Sequence, residues 1–404
     1  MKRRHGLYVG VIFAALLAGL EAGQFVIQKT MAAQQKRAQA PRFVVDPLWP
    51  KPLPNHWVLG SVTGVAVDSQ DHIWITHRGA DSLGNNEKGA ILNPPTGCCV
   101  PAPQVLEFDQ AGNLLSHWGG PGQGFDWPQS TGGITVDHKG NVWIAAAGQP
   151  EAAARPAGAP AAGGARPAAP KPQDAHVLKF SRTGQFLLQI GHAGKVEGSD
   201  SKTGLNRPAG VRVDAATNEV YVADGIGNHR VAVFDAETGA YKRHWGAYGE
   251  KPDDGSLGPY DLNAPPAKQF RTVSCAAISK DGLVYVCDRQ NDRIQVFQKD
   301  GKFVKEAFVS KSTLGDGSVW DIAFSNDPQQ RFVYVADGHD KRVFVLRRDT
   351  LDVVTSFGDG GRQPGQFYGV GSIAVDSKGN VYTGETYEGK RVQKFVYKGM
   401  AASR

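Results

Sequence analysis

The chain has 404 residues, 41% of them hydrophobic, with 50 Gly and 24 Pro. That length suits one large all-β domain or two ordinary ones, and the composition favours many short strands joined by tight turns. The net charge is +6, but residues 1–42 hold seven basic side chains against one acid, Glu21, so the remaining chain is formally neutral. A neutral body without a basic stripe neutralises phosphates poorly, which excludes nucleic acid as the expected partner.

The N-terminus reads MKRRHG and then an apolar run from Leu7 to Leu20. A basic stretch before a short apolar run is the pattern of a secretory signal or an uncleaved anchor. Ala38-Gln39-Ala40 has the small-x-small form of a cleavage site but lies far from the apolar run and is followed by Pro41, so cleavage stays open. Either way the body is expected outside the inner membrane, periplasmic or extracellular, tethered to it if the segment is retained. Residues 1–42 are therefore taken as leader or anchor plus linker, and 43–400 as the folded domain.

Six related units follow. The first runs from Gly64 to Gly79 and resumes at Gln104–Phe108; the second opens at Gly133–Ile144. The others are Gly210–Phe234, Cys275–Phe297, Asp321–Leu346 and Ser372–Phe395. Each has an alternating apolar strand ending in Asp or Ser, a Gly/Asn/Asp turn, a second strand, and a third running from Arg-Val to Phe or Leu. A fourth strand often ends in an apolar residue and Gly, as at Trp118-Gly119 and Trp245-Gly246. Period-two alternation between turn residues marks strands, and four short strands repeated radially mark a β-propeller. The expected fold is all-β, a six-bladed propeller with four antiparallel strands per blade. Part of residues 43–59 is expected to pair with the last blade and close the ring.

Two units are interrupted between their second and third strands. Residues 77–103 interrupt the first, and Gly148–Ala175 interrupts the second with an Ala/Pro/Gly-rich stretch that is expected to be disordered. Both should emerge on one face, together with the long Gly246–Phe270 connection. Long loops on one face of a rigid scaffold are where function usually sits.

Four units repeat an acid at the end of the second strand and an Arg at the start of the third: Asp224 and Arg230, Asp288 and Arg293, Asp337 and Arg342, Glu385 and Arg391. Such pairs are expected to brace the turn as charge-assisted bonds. The first unit has His77 instead of the acid, followed by Arg78, and the second has Ala145–Ala147. With no evident internal partner, His77 and Arg78 become candidates for ligand contact or catalysis. Arg289, Trp320 and Asp321 are expected to line the mouth of the central channel, near Asp316. Export permits disulfides. Cys275 and Cys287 flank a hairpin turn symmetrically and could bridge or stay as buried thiols; Cys98 and Cys99 could bond to each other, pair with those two, or stay reduced.

This grammar resembles the NHL-repeat propellers. His77-Arg78-Gly79 further resembles the HRG-like phrase of the peptidyl-α-hydroxyglycine α-amidating lyases, which carries their catalytic Arg; the resemblance implies that role for Arg78. It also implies three zinc-binding His at the openings of alternate first strands, where this chain has Gly132, Ser274 and Gly371, and a catalytic Tyr where it has Ile226. No metal site is therefore expected from the sequence, apart from a structural calcium ion of the kind that braces propellers. The functional expectation is a binding scaffold for a peptide, a small molecule or another envelope protein, acting through the loops around the first two units. The alternative is an amidating-lyase-like enzyme or another lyase or hydrolase on the same scaffold.

Overall fold

The computed structural model describes residues 39–148 and 172–402. The expected signal or anchor segment and most of the Ala/Pro-rich insertion lie outside the described residues. The chain divides into a main unit, Phe43–Lys398, and a small one, Met1–Arg42 with Gly399–Arg404. Of the small unit, 39–42 and 399–402 are described, and both stretches are strand.

Six antiparallel four-stranded sheets follow one another along the chain. Blade 1 is Val62–Val67, Ile73–His77, Val105–Phe108 and Leu114–Trp118; blade 2 is Thr131–Val136, Val142–Ala146, His176–Phe180 and Phe186–Gly191. Blade 3 is Gly210–Asp214, Glu219–Asp224, Arg230–Asp235 and Tyr241–Trp245; blade 4 is Val273–Ile278, Val284–Asp288, Arg293–Phe297 and Phe303–Phe308. Blade 5 is Asp321–Phe324, Phe332–Asp337, Arg342–Arg347 and Val353–Phe357. Blade 6 is Val370–Val375, Val381–Glu385 and Arg391–Ala402, and its outermost strand is Gln39–Asp46 from the other end of the sequence. That pairing removes a free edge as expected, but the closing strand begins at Gln39, inside the stretch read as linker, and only its last four residues fall in the expected 43–59. From it Phe43 packs on Tyr334 at 5.5 Å and Phe357 at 4.9 Å, both of blade 5.

Position in the blade sets the burial pattern. Second strands are covered on both faces, so Ile73–His77, Val142–Ala146 and Val284–Asp288 are buried throughout. Outer strands show one face to water, and Leu114–Trp118 alternates. Between blades the core is aromatic and β-branched; Tyr221, Val231, Val284 and Phe297 pack together between blades 3 and 4. Each such side chain, fully buried, contributes roughly 1.5–3 kcal/mol.

The Asp that ends several first strands holds the hairpin turn. Asp137 accepts the N–H groups of Lys139 and Asn141 and the Trp143 Nε1–H, the last at 3.0 Å. Asp68 does the same for Gln70, His72 and Trp74, and Asp376 for Lys378, Asn380 and the Tyr382 hydroxyl. One carboxylate thus fixes an Asx-type turn and anchors the aromatic of the next strand.

The cysteines form two bonds, Cys98–Cys99 and Cys275–Cys287, and the second pair sits directly opposite in the strand register.

Candidate functional site

In blades 3, 4 and 6 an acid at the end of the second strand takes up the chain entering that blade. Asp224 accepts the Asn206 N–H at 2.9 Å and the Arg230 Nε–H at 2.9 Å. Asp288 accepts the Arg271 N–H at 2.8 Å and the Arg293 Nε–H at 2.8 Å. Glu385 accepts the Tyr368 N–H at 2.6 Å and is paired with Arg391. Three of the four expected braces therefore form. The fourth does not: Asp337 and Arg342 face each other in register, but no ion pair joins them, and the Arg342 Nε–H points to the Asp340 carbonyl at 3.4 Å.

His77 corrects the sequence expectation. It is fully buried, its Nδ1 accepts the N–H groups of Gly60 (3.1 Å) and Gly79 (3.0 Å), and its Nε2 lies 2.9 Å from the Pro103 carbonyl. A carbonyl only accepts, so Nε2 carries the proton. His77 is thus the blade 1 counterpart of the brace acid and touches no open space. Burial pushes its pKa down to about 4, and Nδ1, already accepting two N–H groups, has no room for a second proton. In blade 2 the acceptor is Asp174, which takes the N–H groups of Gln129, Ser130 and Gly148, each at 3.0 Å. The sequence reading missed it because it arrives after the insertion, from the third-strand side.

Arg78 does reach open space. Its N–H donates to the Ser61 carbonyl at 3.0 Å, and Gly79 beside it has φ +61°, where a Cβ would press on the Gln104 side chain. The phrase HRG thus has a local reason: an acceptor, a projecting cation, and a left-handed turn residue. The Arg78 guanidinium lines the mouth of the central channel, a cavity of about 110 Å³ that also takes in Arg212, Ile226, Arg289, Trp320 and Asp321. It also borders a wider groove of about 640 Å³ between the loops of blades 1 and 2, walled by Phe125, Asp126, Trp127 and Gln129.

Arg289 lies over the Trp320 ring at 4.4 Å, 3.7 Å from Asp316. Gly317, φ +74°, runs close against the same backbone, and any Cβ there would meet the Arg289 carbonyl at 2.0 Å. Trp320 donates to the Gly317 carbonyl at 2.7 Å. Tyr387 of blade 6, unmarked by any repeat signal, completes the cluster: its ring meets Trp320 edge-on at 5.9 Å and its hydroxyl donates to Asp316 at 2.9 Å. Burial lowers the pKa of both arginines, and the Arg289 charge lowers that of Arg78 further. Burial and Asp316 raise the Tyr387 hydroxyl, against the pull of Arg289 and Arg78. The Nε–H groups of Arg78 and Arg289 are buried with no hydrogen-bond partner. The channel mouth therefore gathers blades 1, 4, 5 and 6, whereas the sequence reading centred on blades 1 and 2.

Asp321 lies deeper. It accepts the Ile322 N–H at 2.9 Å and the Ile373 N–H at 3.1 Å, and sits 3.4 Å from Arg212 across the channel. Burial raises its pKa. Arg212 also donates to the Ile134 carbonyl at 3.3 Å, so this pair ties blades 2, 3, 5 and 6 together through the channel. Gly132, Ser274 and Gly371 also line the channel. Two of them carry no side-chain donor, so the zinc set implied by the resemblance does not fit. Elsewhere Asp68, His72 and Glu107 lie close enough to hold a cation, but Arg182 already reaches both acids, Asp68 at 2.9 Å. That is an ion-pair cluster.

A model of the NHL repeat matches residues 205–234. The chain is a six-bladed propeller, and the NHL repeat falls on its blade 3. It is 26% identical over 342 residues to peptidyl-glycine alpha-amidating monooxygenase B of Xenopus laevis, which covers 81% of this chain but 33% of that protein. It is 26% identical over 326 residues to NHL repeat-containing protein 3 of Mus musculus, covering 79% of this chain and 71% of that one. The chain thus spans about a third of the amidating relative's length. Among solved structures, a streptogramin B lyase structure aligns with a TM-score of 0.48 and 10% identity, covering 89% of this chain and 98% of that one.

Proposed function

We propose that this propeller is an exported binding protein whose channel mouth takes the anionic end of a peptide or small molecule. The observation that carries this is the pair Arg78 and Arg289, two half-buried guanidinium groups that line one cavity and whose buried Nε–H donors have no partner. A carboxylate entering there gains charge-assisted bonds from groups already partly withdrawn from water. Asp316 balances one of the two cations, and Trp320 and Tyr387 give an aromatic wall for whatever the carboxylate is attached to. The groove beside Arg78 offers room for a longer chain. An envelope protein is a partner of the same kind if it presents a free C-terminus or an acidic side chain.

The test is calorimetric titration with N-acetylated amino acids against the corresponding amides. Binding of the acids alone is expected, weakened about tenfold or more by Arg78→Ala and by Arg289→Ala. Equal affinity for acid and amide defeats the proposal. A second reading, an amidating-lyase-like or other lyase or hydrolase activity, is favoured by the similarity to the Xenopus enzyme and by Arg78 at the mouth. It requires turnover of an N-acyl substrate by the purified chain and loss of that turnover in Arg78→Ala; metal analysis of the active protein tells whether such turnover is zinc-supported.

A further inference from the structure

The brace arginines either bond an acid or leave it. Arg230 and Arg293 give their Nε–H to Asp224 and Asp288 at 2.9 and 2.8 Å. Arg342 has turned out against the Phe344 ring, 5.9 Å away. Arg289 at the channel mouth does neither. Its Nη2 is 3.7 Å from Asp316 Oδ1, close enough to feel the charge but too far for a hydrogen bond, and its buried Nε–H has no partner. What occupies Asp316 instead is Tyr387, whose hydroxyl donates to Oδ2 at 2.9 Å. A carboxylate bonded through one oxygen to a phenol cannot turn both oxygens to a guanidinium.

Both partners are fixed from behind. Asp316 stands between two residues in the left-handed region, Gly315 at φ +67° and Gly317 at φ +74°. The Gln290 side chain donates to the first carbonyl at 3.3 Å and Trp320 to the second at 2.7 Å, so the turn that presents the acid is pinned on each side. Tyr387 is itself left-handed, at φ +51°, a conformation that bulky side chains seldom adopt. Its carbonyl accepts the Ser61 hydroxyl of blade 1 at 2.7 Å, and its ring meets Trp320 edge-on at 5.9 Å. Backbone strain of this kind persists where the surroundings enforce it, and it concentrates at binding sites.

We propose that Asp316 is a built-in counter-anion that sets the charge of the ligand accepted at the mouth, and that Tyr387 is the positioning residue that keeps it from closing on Arg289. The inference rests on the carboxylate-binding reading above. At the mouth two cations, Arg78 and Arg289, stand against one acid, Asp316, which leaves one positive charge for a monocarboxylate to cancel. A dianion meets Asp316 as a like charge, so the mouth selects against it. The Arg289 charge stays available because the nearest acid is bonded elsewhere. Without the Tyr387 hydroxyl, Asp316 is free to close on the guanidinium and becomes an internal competitor of the ligand. The favoured class is an N-acylated amino acid or peptide C-terminus with no second acid beside it.

The experiment is calorimetric titration of the full chain with N-acetylalanine and N-acetylaspartate, for the wild type, Asp316→Asn, Tyr387→Phe and the double variant. The wild type is expected to prefer N-acetylalanine, and Asp316→Asn to shift the ratio of the two affinities toward the dianion by about tenfold. Tyr387→Phe is expected to weaken N-acetylalanine about three- to tenfold, and to change nothing once Asp316 is Asn. An unchanged ratio in Asp316→Asn overturns the charge role. An equal loss from Tyr387→Phe in both backgrounds overturns the positioning role. A wild type that binds neither acid defeats the carboxylate reading itself. The crystal structure of Tyr387→Phe then decides the positioning claim: Asp316 within about 3 Å of the Arg289 guanidinium supports it, and Asp316 left in place refutes it. The Asp316 side chain is 44% exposed and Tyr387 42%, so both variants should fold.

Discussion

His77 shows how one residue type can fill another's place. A histidine in a row of acids, followed by Arg-Gly, suggested a group freed for chemistry. In the fold it performs the acid's task, accepting N–H groups at the end of a buried strand, and it does so without a charge. The protonation consequence has a definite sign. The folded pKa, about 4, is below the ordinary 6.5, so the folded state binds fewer protons than the unfolded one. The stability His77 contributes is present above pH 6.5 or so and is lost as the pH falls toward about 4, to a total near 3 kcal/mol. Denaturant unfolding across that window should show the slope, and His77→Gln should flatten it. The braces give a second test. Asp288 and Arg293 are both 0% exposed on their side chains, so Arg293→Met strands a buried carboxylate and should cost about 3–5 kcal/mol in chemical denaturation. Asp337, whose arginine is already turned away, should respond far less to Arg342→Met, by under about 1 kcal/mol.

Among the elements, the second and third strands of each blade set register and leave the loops free to vary. Val177 lies opposite Ala145 in blade 2, so the two ends of the interruption start side by side whatever lies between them. Replacing residues 149–171 by a short glycine linker should therefore leave the melting temperature within about 2 °C of the full chain, since loop length costs little once the ends are fixed. Asp174 must be kept, because three N–H groups depend on it. The Cys275–Cys287 bond closes a hairpin that the ladder already holds. Replacing both by Ala should cost about 2–3 kcal/mol by the loop-closure relation and lower the unfolding midpoint without changing the strand signal in circular dichroism.

For the whole molecule, closure is the decisive feature. The strand Gln39–Asp46 covers the outer edge of blade 6, which is otherwise a twelve-residue strand, Arg391–Ala402. A chain beginning at residue 47 exposes that edge and loses the Phe43 contacts to blade 5. It should unfold earlier and associate with rising concentration in light scattering, the usual fate of a long unpaired edge. Channel width is set at the same scale. Arg212 and Asp321 meet across it from blades 3 and 5, so the interior is stitched, and the proposed binding is confined to the mouth.

The sequence by itself determined the blade count, the four-strand grammar, the closing strand and the hairpin that brings Cys275 and Cys287 together. Those follow from local periodicity and turn chemistry, and each repeat states them again. It also marked Arg78, Arg289, Trp320 and Asp321, since their phrases break or border the repeats. Only the tertiary structure decided that His77 is sealed and Arg78 open, that Tyr387 and Asp316 join the mouth, that Asp174 serves blade 2, and that Arg342 leaves Asp337 for an aromatic ring. The physical reason is that a side chain's role depends on which neighbours desolvate it and which donors reach it. In a propeller those neighbours come from other blades, far away along the chain.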